Sequence, residues 1–363
     1  MLKGRRLRAE EIERVVVRGT NWVGDAVMSV PALRELRRIL PDAHITLATR
    51  SSSEAIFKDA DFIDEILIYD RQKNPRRALV RQIKEWRAHR FDCAVLFQNA
   101  FEAALIAFLA RVPVRTGYAT QGRRSFLTHS LKRPEWYNSR HEIFYYLNIV
   151  SEFEKLLFGS SEIEKRAPEI NLEVSEARRA EAAASLRADG IILDRPLVAL
   201  CPGSTNSRAK RWPADRFAAI ADKFIEEARA SVIIIGSPGE AEVSHEVSER
   251  MRNRAKVLTG QTTLDEAVAI LSLVDLLVTN DTGPAHIASA LNRPTLVIFG
   301  PTDPVTTRPF SKTAEIIRRP PDCAPCLLRD CPIDHRCMTA ITPDEVFARA
   351  LVMMRWTSAE ARA

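Results

Sequence analysis

Residues 274–300 compress a buried strand, a tight turn, a helix and a second strand into one short stretch. Val274–Val278 is an apolar run of strand length, Ile287–Leu291 has a helical pattern, and Pro294–Gly300 is the next apolar run. Between them lies the turn Asn280, Asp281, Thr282, Gly283, Pro284, Ala285, His286. Such a unit points a helix N-terminus at whatever sits above the sheet edge. The free N–H groups and the helix dipole there favour an anion. Pro284 suits the first helical turn, and Gly283 lets a ligand approach the backbone. The stretch alone is equally well read as a helix capped by Asp281 or Thr282 with nothing bound.

The same alternation runs through the rest of the chain. Strands are predicted at 13–18, 44–49, 65–69 and 91–97. Val27, Val30, Leu33, Leu36, Ile39 and Leu40 recur at helical spacing over 26–40, and an apolar helix spans 101–109. A second series opens at Leu197–Leu200 and continues through Val232–Ile235 and Val257–Gly260. Strands alternating with helices imply an α/β chain with mainly parallel sheets covered on both faces. A length of 363 residues suits two domains, with the junction in the charged segment 162–173. The resulting division is 1–172, 173–341 and a C-terminal helix at 342–363 that is expected to pack back on the first domain.

Hydrophobic residues are 46% and charged residues 28%, a globular rather than a disordered composition. The net charge of +6 suits an anionic partner. Lys3, Arg5, Arg6, Arg8 and Arg14 crowd the N-terminus. Arg71, Lys73, Arg76, Arg77, Arg81, Lys84, Arg87 and Arg90 crowd a second stretch. Residues 75–90 read either as a basic amphipathic helix on an anionic membrane or as an ordinary solvated surface helix. A further group, Arg115, Gln121, Arg123, Arg124, Arg133, Arg140 and His141, is expected in loops that grip phosphate or carboxylate groups. Aromatics are only 7% and do not interleave with the basic runs, which speaks against nucleic acid. No apolar run reaches membrane-span length, and the basic N-terminus lacks the apolar core of a signal peptide, so a cytoplasmic protein is expected. Cysteines there stay reduced or bind metal.

Chemistry-bearing residues cluster at strand ends. Gly24 and Asp25 follow the first strand, where Asp25 is either a general base or a plain helix cap. This loop lacks the third glycine of a dinucleotide fingerprint. In the second half the ends carry Cys201–Asn206, then Lys210, Arg211, Trp212 and Pro213, then Gly236–Glu240. Several phosphate-compatible loops on one edge are more informative than any one of them.

Taken in order, Asn21–Asp25, Pro202–Ser204, Lys210–Pro213 and Asn280–His286 resemble the ADP-heptose:lipopolysaccharide heptosyltransferases, glycosyltransferase family 9. The resemblance spans nearly the whole chain. Trp22, the Lys210–Pro213 run and a cysteine-rich C-terminal loop are most similar to the heptosyltransferase II group. It implies a GT-B fold, two Rossmann-like domains facing across a cleft, with the acceptor on the first and ADP-heptose on the second. It implies inversion without a catalytic metal. By the same resemblance Asp25 is the base and Lys210 offsets charge on the leaving ADP. Ser204 and Thr205 lie near the diphosphate, while Asp281, Thr282 and Gly283 form the donor turn. His286 is a donor contact or a packing residue, Glu240 holds the ribose, and Thr262 lies near the adenine. The acceptor is an anionic inner-core oligosaccharide on lipid A, on the cytoplasmic face of the inner membrane. Trp22, Gly24, Arg115, Arg123, Arg124 and Arg140 are its candidate contacts. Rival readings are heptosyltransferase I or another family 9 enzyme, a nucleotide-sugar epimerase on the same fold, and a basic metal-stapled nucleic-acid-binding protein.

Cys323, Cys326, Cys331 and Cys337, with His335 among them, form a compact thiol cluster. Four thiolates so spaced are read as a structural zinc or iron site or as a reduced loop that merely packs. Cys93 and Cys201 are expected in the core.

Overall fold

The computed structural model describes residues 8–70 and 74–360, the side chains of 355–360 excepted. Lys3, Arg5, Arg6, Arg71 and Lys73 therefore lie outside the described residues. The chain divides into two compact units, 1–170 and 171–363.

The first unit runs β1 (Arg14–Arg18), α1 (Val23–Met28), α2 (Val30–Ile39), β2 (His44–Thr49), α3 (Ser51–Glu54), β3 (Glu65–Ile68), α4 (Pro75–His89), β4 (Cys93–Leu96), α5 (Phe101–Leu109), β5 (Val114–Tyr118), β6 (His129–Leu131) and α6 (Glu142–Phe158). Among the described residues its six strands are all parallel, in the order β3-β2-β1-β4-β5-β6. Val15, Val16 and Val17 of β1 are fully buried, the unbroken apolar run of a strand covered on both faces. The chain steps outward from β1 to β3, then reverses to β4. Right-handed crossovers therefore set α1 to α3 on one face and α4 and α5 on the other. The reversal leaves a switch point between β1 and β4, where ligands of open parallel sheets bind.

Two sequence expectations change here. The helix predicted over 26–40 starts at Val23 and breaks at Ser29, so Gly24 and Asp25 sit in a first helical turn rather than a loop. The Ser29 hydroxyl donates to the Ala26 carbonyl at 2.7 Å, a local bond that competes with the helical ladder, and Pro31 has no N–H to continue that ladder. Arg115 lies in strand β5, not a loop. The run Val114–Tyr118 carries an arginine, a threonine and a glycine, so it shows no apolar pattern. A Cβ at Gly117 would come within 3.1 Å of the Leu96 Cβ, which explains a glycine in mid-strand.

The second unit runs α7 (Glu176–Ala188), β7 (Leu197–Cys201), α8 (Ala214–Glu226), β8 (Ser231–Ile234), α9 (Ala241–Arg250), β9 (Lys256–Val257), α10 (Leu264–Leu271), β10 (Leu276–Asn280), α11 (Gly283–Ala290), β11 (Thr295–Phe299), α12 (Pro304–Thr307), β12 (Ala314–Arg318), α13 (Arg336–Thr339) and α14 (Pro343–Glu360). The described strands are again six and parallel, ordered β12-β11-β10-β7-β8-β9. The switch point falls between β7 and β10, so the segments after these two strands emerge side by side. The fold is α/β with two Rossmann-like units, the GT-B class. Helix α14 puts Val346, Phe347, Ala350 and Met353 into the core of the second unit, with Phe347 edge-on to Phe224 at 5.2 Å. Over this stretch it packs on its own unit. The side chains of 355–363 lie outside the described residues.

Candidate functional site

Strand β10 ends at Asn280, and the turn behind it opens α11. Asn280 is fully buried, and its side chain ties three backbones together. Its Oδ1 accepts from the Trp212 N–H at 3.0 Å, and its Nδ2 donates to the carbonyls of Pro202 at 2.8 Å and Gly203 at 3.3 Å. The segment after β7 and the turn after β10 are thereby fixed to each other.

Asp281 follows, almost wholly buried. Lys210 Nζ donates to its Oδ2 at 2.8 Å and to its backbone carbonyl at 3.2 Å. The Thr302 hydroxyl donates to the same Oδ2 at 2.7 Å. Lys210 is a quarter exposed and uses two of its three ammonium protons on Asp281, which leaves one for an anion in the open. Thr282 caps α11 from an extended backbone, its hydroxyl donating to the Asn280 carbonyl at 3.3 Å. Gly283 opens that helix, Pro284 has no N–H, and the Ala285 N–H donates to the Thr282 carbonyl at 3.1 Å. His286 is buried within it. Ser204 is buried, with its carbonyl taking the Arg211 guanidinium at 3.1 Å. Thr205 is exposed, its hydroxyl 3.4 Å from that of Ser237.

Glu240 is buried in a capping box. Its Oε2 accepts from the N–H and hydroxyl of Ser237 at 2.7 and 2.8 Å. A Cβ at Gly203 would lie 2.4 Å from the Glu240 Cδ, and one at Gly236 would lie 3.1 Å from its Oε2. The glycines at two strand ends thus make room for this carboxylate, not only for a ligand. Thr262 is half-buried just before Thr263, the residue that caps α10. Lys210, Asp281, Ser204, Thr205 and Glu240 therefore gather on the carboxyl edge of one sheet.

In the first unit, Trp22 caps α1 and is 60% exposed, with Gly24 and Asp25 in the following turn. Helix α1 packs on α6, which begins at Glu142. Burial, and then the charge of Asp25, push the Glu142 carboxyl up to about 7. The Tyr146 phenol is raised well above its usual value by burial and by Asp25 and Glu142. Tyr137 is raised by burial, by Glu142 and by Asp25, with Arg133 opposing. Asp25 thus sits within an acidic and phenolic group of which Glu142, Tyr137 and Tyr146 were absent from the sequence reading. Glu142 is a first-turn acid of its helix, a position that on sequence alone signals only a favourable dipole.

The arginines expected to grip an acceptor separate into two kinds. Arg123 is fully buried, and its guanidinium donates to the Tyr118 carbonyl at 2.6 Å, to the Gln98 carbonyl and to Asn99 Oδ1 at 2.9 Å. Arg115 donates to the carbonyls of Phe126 at 2.6 Å and of Val112. Both hold the framework. Burial lowers the Arg123 guanidinium to about 10. Arg124 and Arg140 are exposed, with Arg140 stacked 3.7 Å over the Phe144 ring. A buried cation that sequence did not single out, Arg18, donates to Gln98 Oε1 at 3.0 Å and Gln82 Oε1 at 2.9 Å, and lies 3.1 Å over the Tyr69 ring. Gln98 links the two buried arginines. Neither shows a salt bridge among the described residues, although Glu102 acts on Arg18 through space, so the carboxyl ends of β1 and β4 carry buried positive charge suited to an anion.

The cysteine cluster is drawn together, since burial and then Cys331, Cys326 and Cys323 raise the Cys337 thiol. Among the described residues, however, no group of three or more His, Cys, Asp or Glu side chains is arranged to hold a metal ion. His335 spends its Nε2 on the Ala209 carbonyl at 2.6 Å. The loop has another attachment. Ser207 donates to the carbonyls of Leu328 and Arg329, both at 3.2 Å, and the Ala209 N–H donates to that of Arg329 at 2.9 Å. It braces the segment that carries Lys210. Cys93 and Cys201 are buried in strands, and all six cysteines are free.

Comparison with known proteins decides the family. The model of glycosyltransferase family 9 (heptosyltransferase) matches residues 76–336, most of the chain. The chain belongs to glycosyltransferase family 9. It is a glycosyltransferase of the heptosyltransferase family, similar at 28% identity over 317 residues to lipopolysaccharide heptosyltransferase 2 of Escherichia coli (strain K12), covering 84% of this chain and 88% of the relative. Lipooligosaccharide heptosyltransferase 2 of Haemophilus influenzae is 28% identical over 315 residues, with 84% and 88% coverage. The solved structure of E. coli ADP-heptose LPS heptosyltransferase II superposes with a TM-score of 0.80 at 25% identity, covering 95% of this chain and 99% of that one. The motifs at Asn280–His286 and Lys210–Pro213 thus lie inside the matched region, while Asp25 lies before it.

Proposed function

We propose that this protein moves heptose, with inversion, from ADP-L-glycero-β-D-manno-heptose to the heptosyl-Kdo2-lipid A inner core of lipopolysaccharide, the heptosyltransferase II reaction. The observation that carries the reading is the Lys210–Asp281 pair at the β7/β10 switch point, in a chain whose curated relatives carry that name. Asp25 takes the proton from the acceptor hydroxyl, whose oxygen attacks the anomeric carbon as the bond to ADP breaks. Lys210 turns its remaining ammonium proton to the leaving diphosphate, together with the α11 N-terminus and the hydroxyls of Ser204 and Thr205. With that charge supplied by the protein, transfer needs no metal. Asp281 takes a sugar hydroxyl on Oδ1, since Oδ2 is occupied. Glu240 takes the ribose hydroxyls, Thr262 lies near the adenine, and His286 supports α11 from within.

On the acceptor side, Trp22, Gly24, Arg124 and Arg140 offer exposed groups, while Arg115 and Arg123 shape the loops that present them. The lipid-linked acceptor places the protein at the anionic cytoplasmic face of the inner membrane, to which free cysteines and a basic surface are suited; among the described residues no helix is long and apolar enough to cross a membrane. Heptosyltransferase I is the neighbouring activity, differing in acceptor. Transfer assays with ADP-heptose and either Kdo2-lipid A or its mono-heptosylated form separate the two. Product from the mono-heptosylated acceptor alone is expected; product from Kdo2-lipid A alone overturns the assignment. Asp25→Asn is expected to abolish transfer and leave ADP binding intact, whereas preserved turnover would remove Asp25 as the base.

A further inference from the structure

We infer that the outward faces of α4 and α5 form the surface by which this protein lies on an anionic lipid bilayer. The inference rests on the reading above that the acceptor is lipid-linked, and it names the face that meets the lipid.

Helix α4 buries Ala78, Gln82 and Trp86 against the sheet. One helical repeat round, Arg76, Arg77, Val80, Arg81, Lys84 and Arg87 are all exposed on a single outward arc. On that arc, Arg76, Arg77 and Lys84 make no ion pair among the described residues. The contrast is with α2, whose arginines 34, 37 and 38 all pair with carboxylates, those of Asp61, Asp64, Glu35 and Glu154. A surface helix whose cations serve only solubility gains from such pairing. Arg76, Arg77 and Lys84 are left as exposed cations along the α4 arc.

Helix α5 lies beside α4 on the same face of the sheet, and the Arg87 guanidinium donates to the Leu109 carbonyl at 2.5 Å, joining the two. Its outward residues are apolar and open to solvent: Phe101 is 44% exposed, Phe108 42% and Leu109 38%. Both phenylalanines pack edge-on to Phe126, at 5.2 and 5.3 Å, so they form one patch rather than scattered side chains. On α4, Val80 is 50% exposed among the cations of the arc. A free phosphate or a polyanion would satisfy the cations and leave this patch in water. A bilayer with anionic headgroups satisfies both, taking the cations at headgroup level and the rings at the acyl boundary.

The test is sedimentation of the full chain with vesicles of phosphatidylcholine alone, or with about one-third phosphatidylglycerol, which restores the anionic surface that attracts basic segments. Binding is expected to the anionic vesicles only, and to weaken as salt rises. The double variant Arg77→Gln, Lys84→Gln should lower partitioning about 25-fold, about fivefold for each charge removed. Phe108→Ser should weaken binding without changing its salt dependence. Thermal melts check that each variant folds. Transfer to a deacylated, water-soluble acceptor should be unchanged in both variants, while transfer to acceptor embedded in anionic vesicles falls with binding. Equal binding of wild type and variants, or equal binding to neutral vesicles, overturns the inference. If wild type transfers to neither acceptor, the functional reading fails, and the vesicle result still decides this one.

Discussion

Replacing Glu142 by glutamine tests the electrostatics around Asp25 directly. Glu142 is the first residue of α6, and its carboxyl is raised from 4.5 to about 7 by burial and by Asp25. The folded protein therefore holds a proton there that the unfolded chain has released. Stability falls as pH rises, since between about 4.5 and 7 the folded state binds more protons than the unfolded one. Below that window the group costs nothing; above it the full cost applies. Each tenfold change in proton affinity is about 1.4 kcal/mol, so the charged carboxylate costs about 3 kcal/mol at pH 8. Glutamine keeps the size and removes the charge. Its melting temperature should exceed that of wild type by roughly 5–10 °C at pH 8, for a unit of about this size, and match it at pH 4.5. Calorimetric melts of both proteins at the two pH values measure this. A shift of equal size at both, or none at pH 8, would refute the coupling. A kinetic readout runs beside it: the wild-type pH profile of kcat/KM should carry a titration near 7 that the variant lacks, because ionised Glu142 adds a second negative charge beside Asp25, the proposed base.

Other predictions follow from single contacts. Gly203→Ala would place a Cβ 2.5 Å from Glu240 Oε1, so the carboxylate must move, and ADP affinity by titration calorimetry should fall at least about tenfold, the worth of one hydrogen bond to a charged group; unchanged affinity would detach Glu240 from the nucleotide. Arg123→Met strips donors from the Tyr118 and Gln98 carbonyls and from Asn99, and should cost about 3 kcal/mol or more in urea unfolding. A stable variant with raised acceptor KM would instead return Arg123 to the acceptor. For the cysteine loop, Cys337→Ser should raise donor KM through the Lys210 segment that the loop braces; metal analysis of both purified proteins checks the cluster, and zinc or iron present in wild type and lost in the variant would mark a structural metal centre.

Much of the fold was legible because its signals are local. Apolar runs of strand length, each followed by a polar turn and a helical pattern, force parallel crossovers, and two such series require two sheets. The strands that escaped, β5, β6 and β12, are those whose runs are broken by polar residues or glycine: Arg115 and Gly117 in β5, His129 in β6, Glu315 in β12. At the site, strand-end position pointed to the loops that carry Lys210, Asp281, Glu240 and Asp25, and the family resemblance supplied the candidate role of each. These signals were not enough to say what each group faces. Asn280 stood inside the opening motif, yet its bonds run to Pro202, Gly203 and Trp212, 68 to 78 residues away.

The arginines make the same point with opposite outcomes. In the sequence, Arg115, Arg123, Arg124 and Arg140 are one basic group broken by glycines. A guanidinium has five donors in a rigid fork, which serves a carboxylate of a ligand or a set of the protein's own carbonyls equally well. Which use prevails depends on whether carbonyls from the ends of neighbouring strands converge, as those of Gln98 after β4 and Tyr118 in β5 do on Arg123. Where they converge, the arginine is spent on shape and its positive charge is buried inside the edge. Where they do not, as at Arg124 and Arg140, the fork stays open to solvent. Under the proposed function, the second kind offers the open forks that an acceptor anion would meet, and the first kind shapes the loops that present them.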